Sequence, residues 1–287
     1  MILQKEIKTI AEQQSVPPTT IDKDWVLGHF VKAIYSLDGW KDELIFKGGT
    51  CLRKCYIEDY RFSEDLDFTS VDAKFELSNK LLSLLSVEIN KQAEIRTHVD
   101  SLKQLNFNDT LTGYEAKIKF WGSEHPSSQE PPSQDRWTTS IKLEIILFEK
   151  IMFEAEKRKI IHPYSDSEIV SDTSAVCYSI EEVITEKLRS LIQRAYTAPR
   201  DYFDIWYLVQ HKENLDWDKI NRAFQEKVRF KNLSYRNYEE LLTEEAEHHL
   251  KKHWENTLKH QLKTEMYVAP ETVINFCKKL FKEKMRS

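Results

Sequence analysis

A short acidic strand carries the strongest chemical signal in this sequence. Asp65 and Asp67 stand two positions apart in the alternating run Asp-Leu-Asp-Phe, so a strand would point both carboxylates to one face. Two carboxylates held this close repel one another unless a cation lies between them. Hard oxygen ligands of this type suit Mg²⁺, a cation that also binds nucleotide phosphates. The pair therefore predicts a divalent metal site that handles a phosphorylated substrate.

A double glycine lies shortly before this strand. Gly48 and Gly49 follow the apolar run at 44–46, which predicts a strand that enters a turn. Glycines allow backbone N–H groups to approach an anion closely, and the helix expected after the turn would point its positive end at the same place. Thr50 adds a hydroxyl. Residues 46–68 therefore predict a phosphate cradle and a carboxylate pair in one place.

A third acid and a lysine share a later strand, predicted over residues 138–148. Glu144 and Lys142 fall on one face of it, opposite apolar side chains. Glu144 either faces water at a sheet edge or joins Asp65 and Asp67. We favour the second interpretation, because a buried carboxylate needs a partner such as a metal or a base. Lys142 either contacts phosphate or neutralises the carboxylates.

A second charged cluster lies in the C-terminal half. Lys187 falls within the apolar stripe of a helix predicted over residues 180–196, where a lysine must reach water or bind an anion, and we favour a phosphate. Arg194 lies two turns further along, on nearly the same face. Asp201 and Asp204 follow one turn apart on the next predicted helix, among apolar residues. They are either catalytic or part of a structural ion-pair network.

The composition indicates a helix-rich protein with a substantial core. The chain has 287 residues, of which 40% are hydrophobic and 31% charged, and it contains only 6 glycines. No run of about 18 apolar residues is present, so we expect no membrane span. The N-terminal stretch also lacks the apolar core of a signal peptide. The net charge of −5 argues against a chain-wide basic surface but is compatible with a local basic patch that binds RNA.

The four cysteines, at positions 51, 55, 177 and 277, form no CxxC pair. Their spacing argues against a zinc site or a disulfide framework. Free core thiols in a reducing compartment fit better, so we expect a cytoplasmic protein.

The order of the predicted elements indicates an α+β protein in three parts. Residues 1–40 are predicted to form helices that pack on the core. Residues 41–175 contain the predicted strands and form the catalytic core. Residues 176–287 are predicted to form a helical C-terminal domain.

Two local details complete these predictions. A helix is expected over residues 73–91, with Leu84 among its inward side chains. Ser179 and Glu182 have the spacing of a capping box, in which each side chain bonds the backbone N–H of the other residue.

Three blocks of sequence resemble the AbiEii/AbiGii-type nucleotidyltransferase toxins of the DNA polymerase beta-like nucleotidyltransferase superfamily. The blocks are FKGGTCLRKCY…YRFSEDLDF, IKLEI and EKLRSLIQRAYTAPRDYFDIWYL, and they follow the family's order over about residues 40–210. The first block is the most specific. Thr50 stands where many superfamily members have serine, and the third acid is glutamate rather than aspartate.

The resemblance implies a small mixed nucleotidyltransferase sheet with flanking helices, joined to a helical C-terminal region. It implies Mg²⁺-dependent transfer of a nucleoside monophosphate from an NTP to an acceptor, with release of pyrophosphate. The acceptors established for relatives include the 3′ end of tRNA. In a toxin–antitoxin or abortive-infection system, such an enzyme serves in phage defence beside a cognate antitoxin that acts as a transcriptional regulator.

Carried onto this sequence, the resemblance implies three overlapping sets of residues. The metal ligands would be Asp65, Asp67 and Glu144. The catalytic set would contain these acids together with Lys187, Asp201 and Asp204. The residues that bind the nucleotide would be Lys47, Gly48, Gly49, Thr50, Arg61, Ser63, Lys142, Lys187 and Arg194.

Two other functions use the same core. A transferase that nucleotidylates an antibiotic or a protein would share the catalytic residues. A non-catalytic binding module would be expected to have lost an acid or a glycine, and this sequence retains them.

Overall fold

The computed structural model describes residues 2–125 and 129–285, and the chain divides into two compact units. The first comprises Met1–Glu149 with Ala155–Cys177, and the second comprises Lys150–Glu154 with Tyr178–Ser287. The fold is α+β, as predicted. A mixed sheet with flanking helices lies in the first unit, and the second unit is helical.

The described residues of the first unit form seven strands and five α-helices. The strands are β1 (Leu44–Lys47), β2 (Asp65–Ser70), β3 (Arg96–Phe107), β4 (Thr110–Trp121), β5 (Ser140–Ile146), β6 (Glu156–Lys159) and β7 (Ser174–Cys177). The helices are α1 (Gln4–Gln14), α2 (Pro18–Ser36), α3 (Gly48–Cys51), α4 (Asn79–Ala93) and α5 (Ser167–Ser171). α3 continues directly as a π-helix over Leu52–Tyr56.

The strand order of the sheet is β3-β4-β5-β2-β1-β7-β6, with both parallel and antiparallel pairs. β2 lies at the centre, antiparallel to β1 and parallel to β5. Side chains along β5 alternate between buried and half-buried positions, because successive residues of a strand point to opposite faces. Leu143 and Ile145 are fully buried, and Glu144 points to the other face.

The helices predicted over residues 1–40 belong to this first unit. α2 starts at Pro18, a position that favours proline because the first helical N–H has no partner within the helix. Trp25, Phe30 and Val31 are fully buried in the core of the unit. Apolar burial along α2 therefore attaches the N-terminal segment to the sheet.

α4 begins later than predicted. Its first residue is Asn79, preceded by the hydroxyl cap of Ser78. Leu85 and Ile89 lie four positions apart on the inner face and are buried. Leu84 lies off that stripe and is 47% exposed, so the prediction that it packs inward is wrong.

A buried carboxylate of α2 holds the segment that follows the glycine turn. Asp24 accepts hydrogen bonds from Arg53 Nε at 2.6 Å, from Lys54 Nζ at 2.7 Å and from the Tyr164 hydroxyl at 2.6 Å. Burial acts to raise the pKa of Asp24, but Arg53 and Lys54 outweigh it and hold the pKa well below its ordinary value. These bonds fix the π-helix against α2.

Asp24→Ala is expected to lower the free energy of unfolding by about 3–5 kcal/mol, because it leaves the charges of Arg53 and Lys54 buried without their partner. Chemical denaturation followed by circular dichroism measures the loss. Asp38→Ala is the matched control, since the Asp38 side chain is 94% exposed and its pair with Lys41 is a surface contact. The control should leave the unfolding midpoint unchanged. Equal midpoints for the two variants would contradict the stabilising role of Asp24.

The described residues of the second unit form five α-helices, which are α6 (Ile180–Gln193), α7 (Pro199–His211), α8 (Trp217–Phe230), α9 (Glu244–Leu258) and α10 (Pro270–Lys284). Pro199 and Pro270 open α7 and α10 at the first helical position. Across residues 2–125 and 129–285, none of the helices combines the length and the apolarity needed to span a bilayer.

The start of α6 differs from the predicted capping box in one partner. The Ser179 hydroxyl accepts a hydrogen bond from the Glu182 N–H at 3.2 Å, as expected. The Glu182 carboxylate instead accepts from the backbone N–H groups of Met152 and Phe153 at 2.8 and 2.9 Å, and it pairs with Lys227 Nζ at 2.7 Å. Glu182 and Lys227 are fully buried, so the carboxylate takes a charged partner in the interior rather than its own helix end.

Candidate active site

The three predicted metal ligands lie side by side on one face of the sheet. In the parallel pairing of β2 with β5, Asp67 lies opposite Glu144, and Asp65 lies opposite Lys142. Asp65 and Asp67 share a face because they are two positions apart, and paired residues on adjacent strands point the same way. All three acids are half-buried, so each keeps part of its surface exposed to solvent.

Lys142 lies between two of the acids. Its Nζ is 3.2 Å from Glu144 Oε2 and 4.0 Å from Asp65 Oδ2. Burial acts against the charge of Lys142, but the three carboxylates outweigh it and raise the pKa of the ammonium. In this arrangement Lys142 neutralises part of the carboxylate charge. Its side chain is 37% exposed, which leaves it room to shift toward a phosphate.

Burial and the neighbouring carboxylates change the pKa of Asp67. Burial, followed by the like charges of Glu144 and Asp65, raises the pKa of Asp67 to about 6. Lys47 lies opposite Asp67 in the pairing of β1 with β2, is 8% exposed, and acts in the other direction together with Lys142. Burial and the two neighbouring acids together outweigh the two lysines, and a bound cation would favour the ionised form of Asp67.

The donor set fits a hard divalent cation. Three carboxylates from two neighbouring strands offer only oxygen ligands, which hard cations prefer over nitrogen and sulfur. The three acids face the same side, but their carboxylate oxygens do not all lie within 4.8 Å of one another. In the part of the chain that the structure describes, the sets with all ligand atoms within 4.8 Å of one another are Cys51, Cys55 and Cys177, and His29, His162 and Asp166.

Gly48 makes room for the Asp67 carboxylate. Its φ is +80°, in the left-handed region that residues with a Cβ rarely adopt. A Cβ at this position would lie 2.5 Å from Asp67 Oδ2. Glycine is therefore required both for the conformation of the turn and for the approach of its backbone to the acid.

Gly49 allows a second close approach, to the loop between the π-helix and β2. A Cβ there would lie 2.8 Å from Arg61 Nη2 and 2.9 Å from Ser63 Oγ. Arg61 is 2% exposed and donates to the Phe62 carbonyl oxygen at 3.2 Å. The structure thus packs two of the predicted nucleotide-binding side chains against the glycine turn.

The Thr50 hydroxyl connects the glycine turn to β2. It donates a hydrogen bond to the backbone carbonyl of Asp65, and Thr50 is 1% exposed. This bond ties α3 to the first residue of β2. The contact with phosphate that the family resemblance implies for Thr50 stays a prediction.

A cavity of about 280 Å³ adjoins the acid-bearing face. Ser140 lines it and shares one face of β5 with Lys142 and Glu144, while Ser63 lines it from beside the glycine turn. Its wall is rich in hydroxyl groups, which can both donate and accept hydrogen bonds. The lining residues are Thr19, Thr20, Lys23, Phe62, Ser63, Glu64, Thr138, Thr139 and Ser140.

The predicted charged residues of the second unit form one ion-pair network. Lys187 Nζ lies 2.7 Å from Asp201 Oδ1 and 2.7 Å from Asp204 Oδ2. Arg194 Nη1 lies 2.6 Å from Asp201 Oδ2. Both acids are almost fully buried, and the Arg194 side chain is 32% exposed. The ion-pair network considered for these residues is therefore present, and their catalytic and phosphate-binding roles stay predictions.

The sequence patterns did not predict the buried ion pairs of the segment that follows the glycine turn. Arg53 and Lys54 are buried on Asp24, and the Arg53 guanidinium also lies 3.8 Å above the Phe62 ring. The sequence did contain a signal for this contact. Arg53 and Lys54 lie on a short apolar helix directly after the turn, where two buried charges need a partner of opposite charge.

Comparison with known protein families shows which family the chain belongs to. The family model described as nucleotidyl transferase AbiEii toxin, type IV TA system, matches residues 29–280. The chain belongs to the AbiEii family. It is accordingly a nucleotidyltransferase toxin of a type IV toxin–antitoxin system, with an NTP as substrate and an antitoxin as partner.

A solved structure supports the fold of this AbiEii chain, and a second one is more distantly similar. MenT4, a nucleotidyltransferase toxin from Mycobacterium tuberculosis H37Rv, is 17% identical with a TM-score of 0.60, and the alignment covers 100% of both chains. An antigenic nucleotidyltransferase-like protein from Paracoccidioides brasiliensis is 12% identical with a TM-score of 0.35, over 84% of this chain and 95% of that one. A search of the curated proteins gives no significant match.

Proposed function

We propose that this AbiEii toxin transfers a nucleoside monophosphate from an NTP to an RNA acceptor, the 3′ end of tRNA, in a reaction that requires Mg²⁺. Pyrophosphate is the second product. The reaction takes place in the cytoplasm and serves phage defence, and the cognate antitoxin acts as a transcriptional regulator. The observation that carries the proposal is the register of β1, β2 and β5, which sets Asp65, Asp67 and Glu144 beside the glycine turn.

The three acids of the sheet would hold Mg²⁺. When bound there, Mg²⁺ supplies charge neutralisation to the triphosphate and makes the acceptor hydroxyl easier to deprotonate. Glu144 takes the proton of that hydroxyl as a general base. Lys142 Nζ lies 3.2 Å from Glu144 Oε2, and this contact holds the carboxylate in position on the face of the sheet.

The glycine turn and its neighbours would bind the triphosphate. Backbone N–H groups at Gly48 and Gly49 meet the charge that grows on the leaving pyrophosphate. Lys47, Arg61 and Ser63 are further ligands of the nucleotide. The hydroxyl-lined cavity beside this face would take the ribose and the base, whose polar edges match hydroxyl donors and acceptors.

The second unit carries the other charged residues to which the family resemblance gives a role. Lys187 and Arg194 would bind phosphate oxygens, with Asp201 and Asp204 as the acids of the last motif. The ion pairs of 2.6 to 2.7 Å hold both cations in fixed positions. Charged groups that are fixed in advance stabilise a transition state without a cost of reorganisation.

A labelled-NTP panel tests the proposal. Each of the four NTPs, labelled at the α-phosphate, is incubated with the full chain and with tRNA, lysate protein or an aminoglycoside, with and without a chelator. We expect one NTP to label tRNA in a chelator-sensitive reaction, and tRNA whose 3′ end has been oxidised to remain unlabelled. Label on protein or on the aminoglycoside would support the alternative transferases. A complete lack of label on tRNA with all four NTPs would contradict the proposed transfer.

The stabilisation that Mg²⁺ provides is expected to appear as the pH rises through about 6. Burial and the neighbouring carboxylates raise the pKa of Asp67 to about 6 in the folded protein, whereas an unfolded chain has an aspartate pKa of about 3.9. Between about pH 3.9 and pH 6 the metal-free folded state therefore holds a proton that the unfolded chain has released, and the stability linked to that proton is lost as the pH rises through about 6. Mg²⁺ competes with this proton, so it binds poorly in acid.

Thermal denaturation with and without Mg²⁺ at pH 5 and pH 7.5 measures this effect. The rise in Tm on addition of Mg²⁺ should be small at the lower pH and full at the higher one. Asp67→Asn carries no titrating group at this position, so its response to Mg²⁺ should be weak at both values. A wild-type shift of equal size at both pH values would contradict binding through Asp67.

A further inference from the structure

Three cysteines meet behind the glycine turn. The sulfur atoms of Cys51, Cys55 and Cys177 all lie within 4.8 Å of one another, and the residues are 0%, 5% and 0% exposed. Cys51 ends α3, Cys55 lies one helical turn later in the π-helix, and Cys177 ends β7. β7 runs parallel to β1, with Cys177 opposite Phe46. The chain thus brings thiols from two distant segments to one buried point.

We propose that Cys51, Cys55 and Cys177 form a binding site for a thiophilic d¹⁰ cation, Zn²⁺ or Cu(I). The site is separate from the carboxylates of β2 and β5, whose oxygen ligands suit a hard cation instead. Soft thiolate ligands select Zn²⁺ and Cu(I). A bound cation would fasten the helix that follows the glycine turn to β7.

The spacing of the sulfur atoms fits one metal centre. Thiolates bind Zn²⁺ at about 2.3 Å, so two thiolates on one metal lie about 3.8–4.0 Å apart. The sulfurs are already within 4.8 Å, and closure around an ion requires movements of less than about 1 Å. Cys51 and Cys55 are four positions apart on a helix and share one face, so the movement is one of side chains.

The surroundings offset the charge of a thiolate centre. Each thiol that binds the cation releases its proton to water, so three thiolates with Zn²⁺ leave one net negative charge. Lys54 and Arg158 both act electrostatically on Cys55. Lys54 is 1% exposed, and the Arg158 guanidinium lies 4.3 Å above the Tyr56 ring. Lys54 also pairs with Asp24 at 2.7 Å and Arg158 with Glu156 at 3.0 Å, so the two cations offset part of the charge of a thiolate centre.

The number of ligands distinguishes the two cations. Among the described residues, the compact set contains these three thiols and no fourth histidine, cysteine or carboxylate. Three thiolates suffice for Cu(I), whereas structural Zn²⁺ sites have four ligands and would add a water or a backbone oxygen. The two cations therefore predict different coordination numbers at the same three sulfurs.

The second compact set, His29, His162 and Asp166, is a hydrogen-bond network. Both histidine Nε2 atoms lie 3.1 Å from the Asp166 carboxylate, and Trp25 Nε1 donates to the same carboxylate at 3.0 Å. A metal would have to displace these bonds. The cysteine set is the better candidate, because its ligand atoms are not committed to an internal carboxylate.

A Cd²⁺ titration of the full chain tests the site, with Cd²⁺ as the spectroscopic probe for thiolate ligands. The protein is refolded from denaturant with a non-thiol reductant and Cd²⁺, so that burial does not block entry. We expect an ultraviolet thiolate-to-metal charge-transfer band with the intensity of one Cd²⁺ per three thiols; Cd²⁺ on the carboxylates of β2 and β5 would give no such band. Cys177→Ser should weaken binding by roughly 10–100-fold or more, since loss of a ligand costs at least as much as loss of an outer-shell contact.

Cys277→Ser is the matched control. Cys277 is a buried free cysteine of the second unit, outside the compact set, and its loss should leave the titration unchanged. Cys55→Ser serves as a second ligand variant, and circular dichroism verifies the fold of each protein. Competition with Zn²⁺ and with Cu(I) then identifies the preferred cation. Lack of the charge-transfer band in the wild type, or an unchanged titration in Cys177→Ser, would overturn the proposal without bearing on nucleotidyl transfer.

Discussion

Asp67→Asn is expected to reduce nucleotidyl transfer by about 10³-fold or more while the fold is kept. A metal at the reacting phosphate contributes several kcal/mol of transition-state stabilisation, and each 1.36 kcal/mol is a factor of ten in rate. An amide offers this metal no charge. Burial and the like charges of Glu144 and Asp65 disfavour the ionised form of Asp67, so its removal should leave the metal-free protein at least as stable as the wild type.

Initial rates of label incorporation measure the loss of transfer, and thermal denaturation measures whether the fold is kept. Asp109→Asn makes the same chemical change on an exposed hairpin turn, where φ is +59° and asparagine is well tolerated. The control should transfer label at the wild-type rate and still arrest the growth of cells that express it. Wild-type transfer by Asp67→Asn would exclude Asp67 from the metal site.

Gly48→Ala is expected to combine a modest loss of stability with a large loss of activity. The left-handed conformation costs a residue with a Cβ about 1–2 kcal/mol. The new Cβ would also lie 2.5 Å from Asp67 Oδ2, so the carboxylate must turn away from the position that faces Glu144. Because misplacement of about 1 Å in a reacting centre costs about 10²-fold, we expect at least that reduction in transfer.

Gly39→Ala separates the cost of the left-handed conformation from the effect of a new Cβ on the Asp67 carboxylate. Gly39 has the same φ of +80°, but nothing lies within 4 Å of the Cβ that alanine would add. Both variants should therefore lose about 1–2 kcal/mol in chemical denaturation, and only Gly48→Ala should lose activity. If Gly48→Ala retained full transfer, the close approach of the turn to Asp67 would have no catalytic role.

Local patterns in the sequence predicted the face that carries the acids. A strand has a side-chain period of two, so the order of Asp65 and Asp67, and of Lys142 and Glu144, already implied which side chains lie together. The glycine pair predicted the turn for the same local reason, since only glycine combines positive φ with a close backbone approach.

Contacts between distant segments escaped prediction, because no local period encodes them. The pairing of Asp24 with Arg53 and Lys54 crosses about thirty positions, and the approach of Cys177 to Cys51 crosses more than a hundred. β6 was also missed, since its four residues are all charged and show no alternation of apolar side chains. The capping box failed at Glu182 because Lys227 offered its carboxylate a buried partner.

The acid-bearing face is assembled from parts of the chain that leave the ribosome at different times. β1 and β2 pair directly, whereas Glu144 joins them only when β5 pairs with β2. Synthesis proceeds at about 5–20 residues per second and segments fold as they emerge, so this face stays incomplete until β5 has been translated. A stalled or truncated product that ends before β5 would lack Glu144 and, under the proposed mechanism, would transfer no nucleotide.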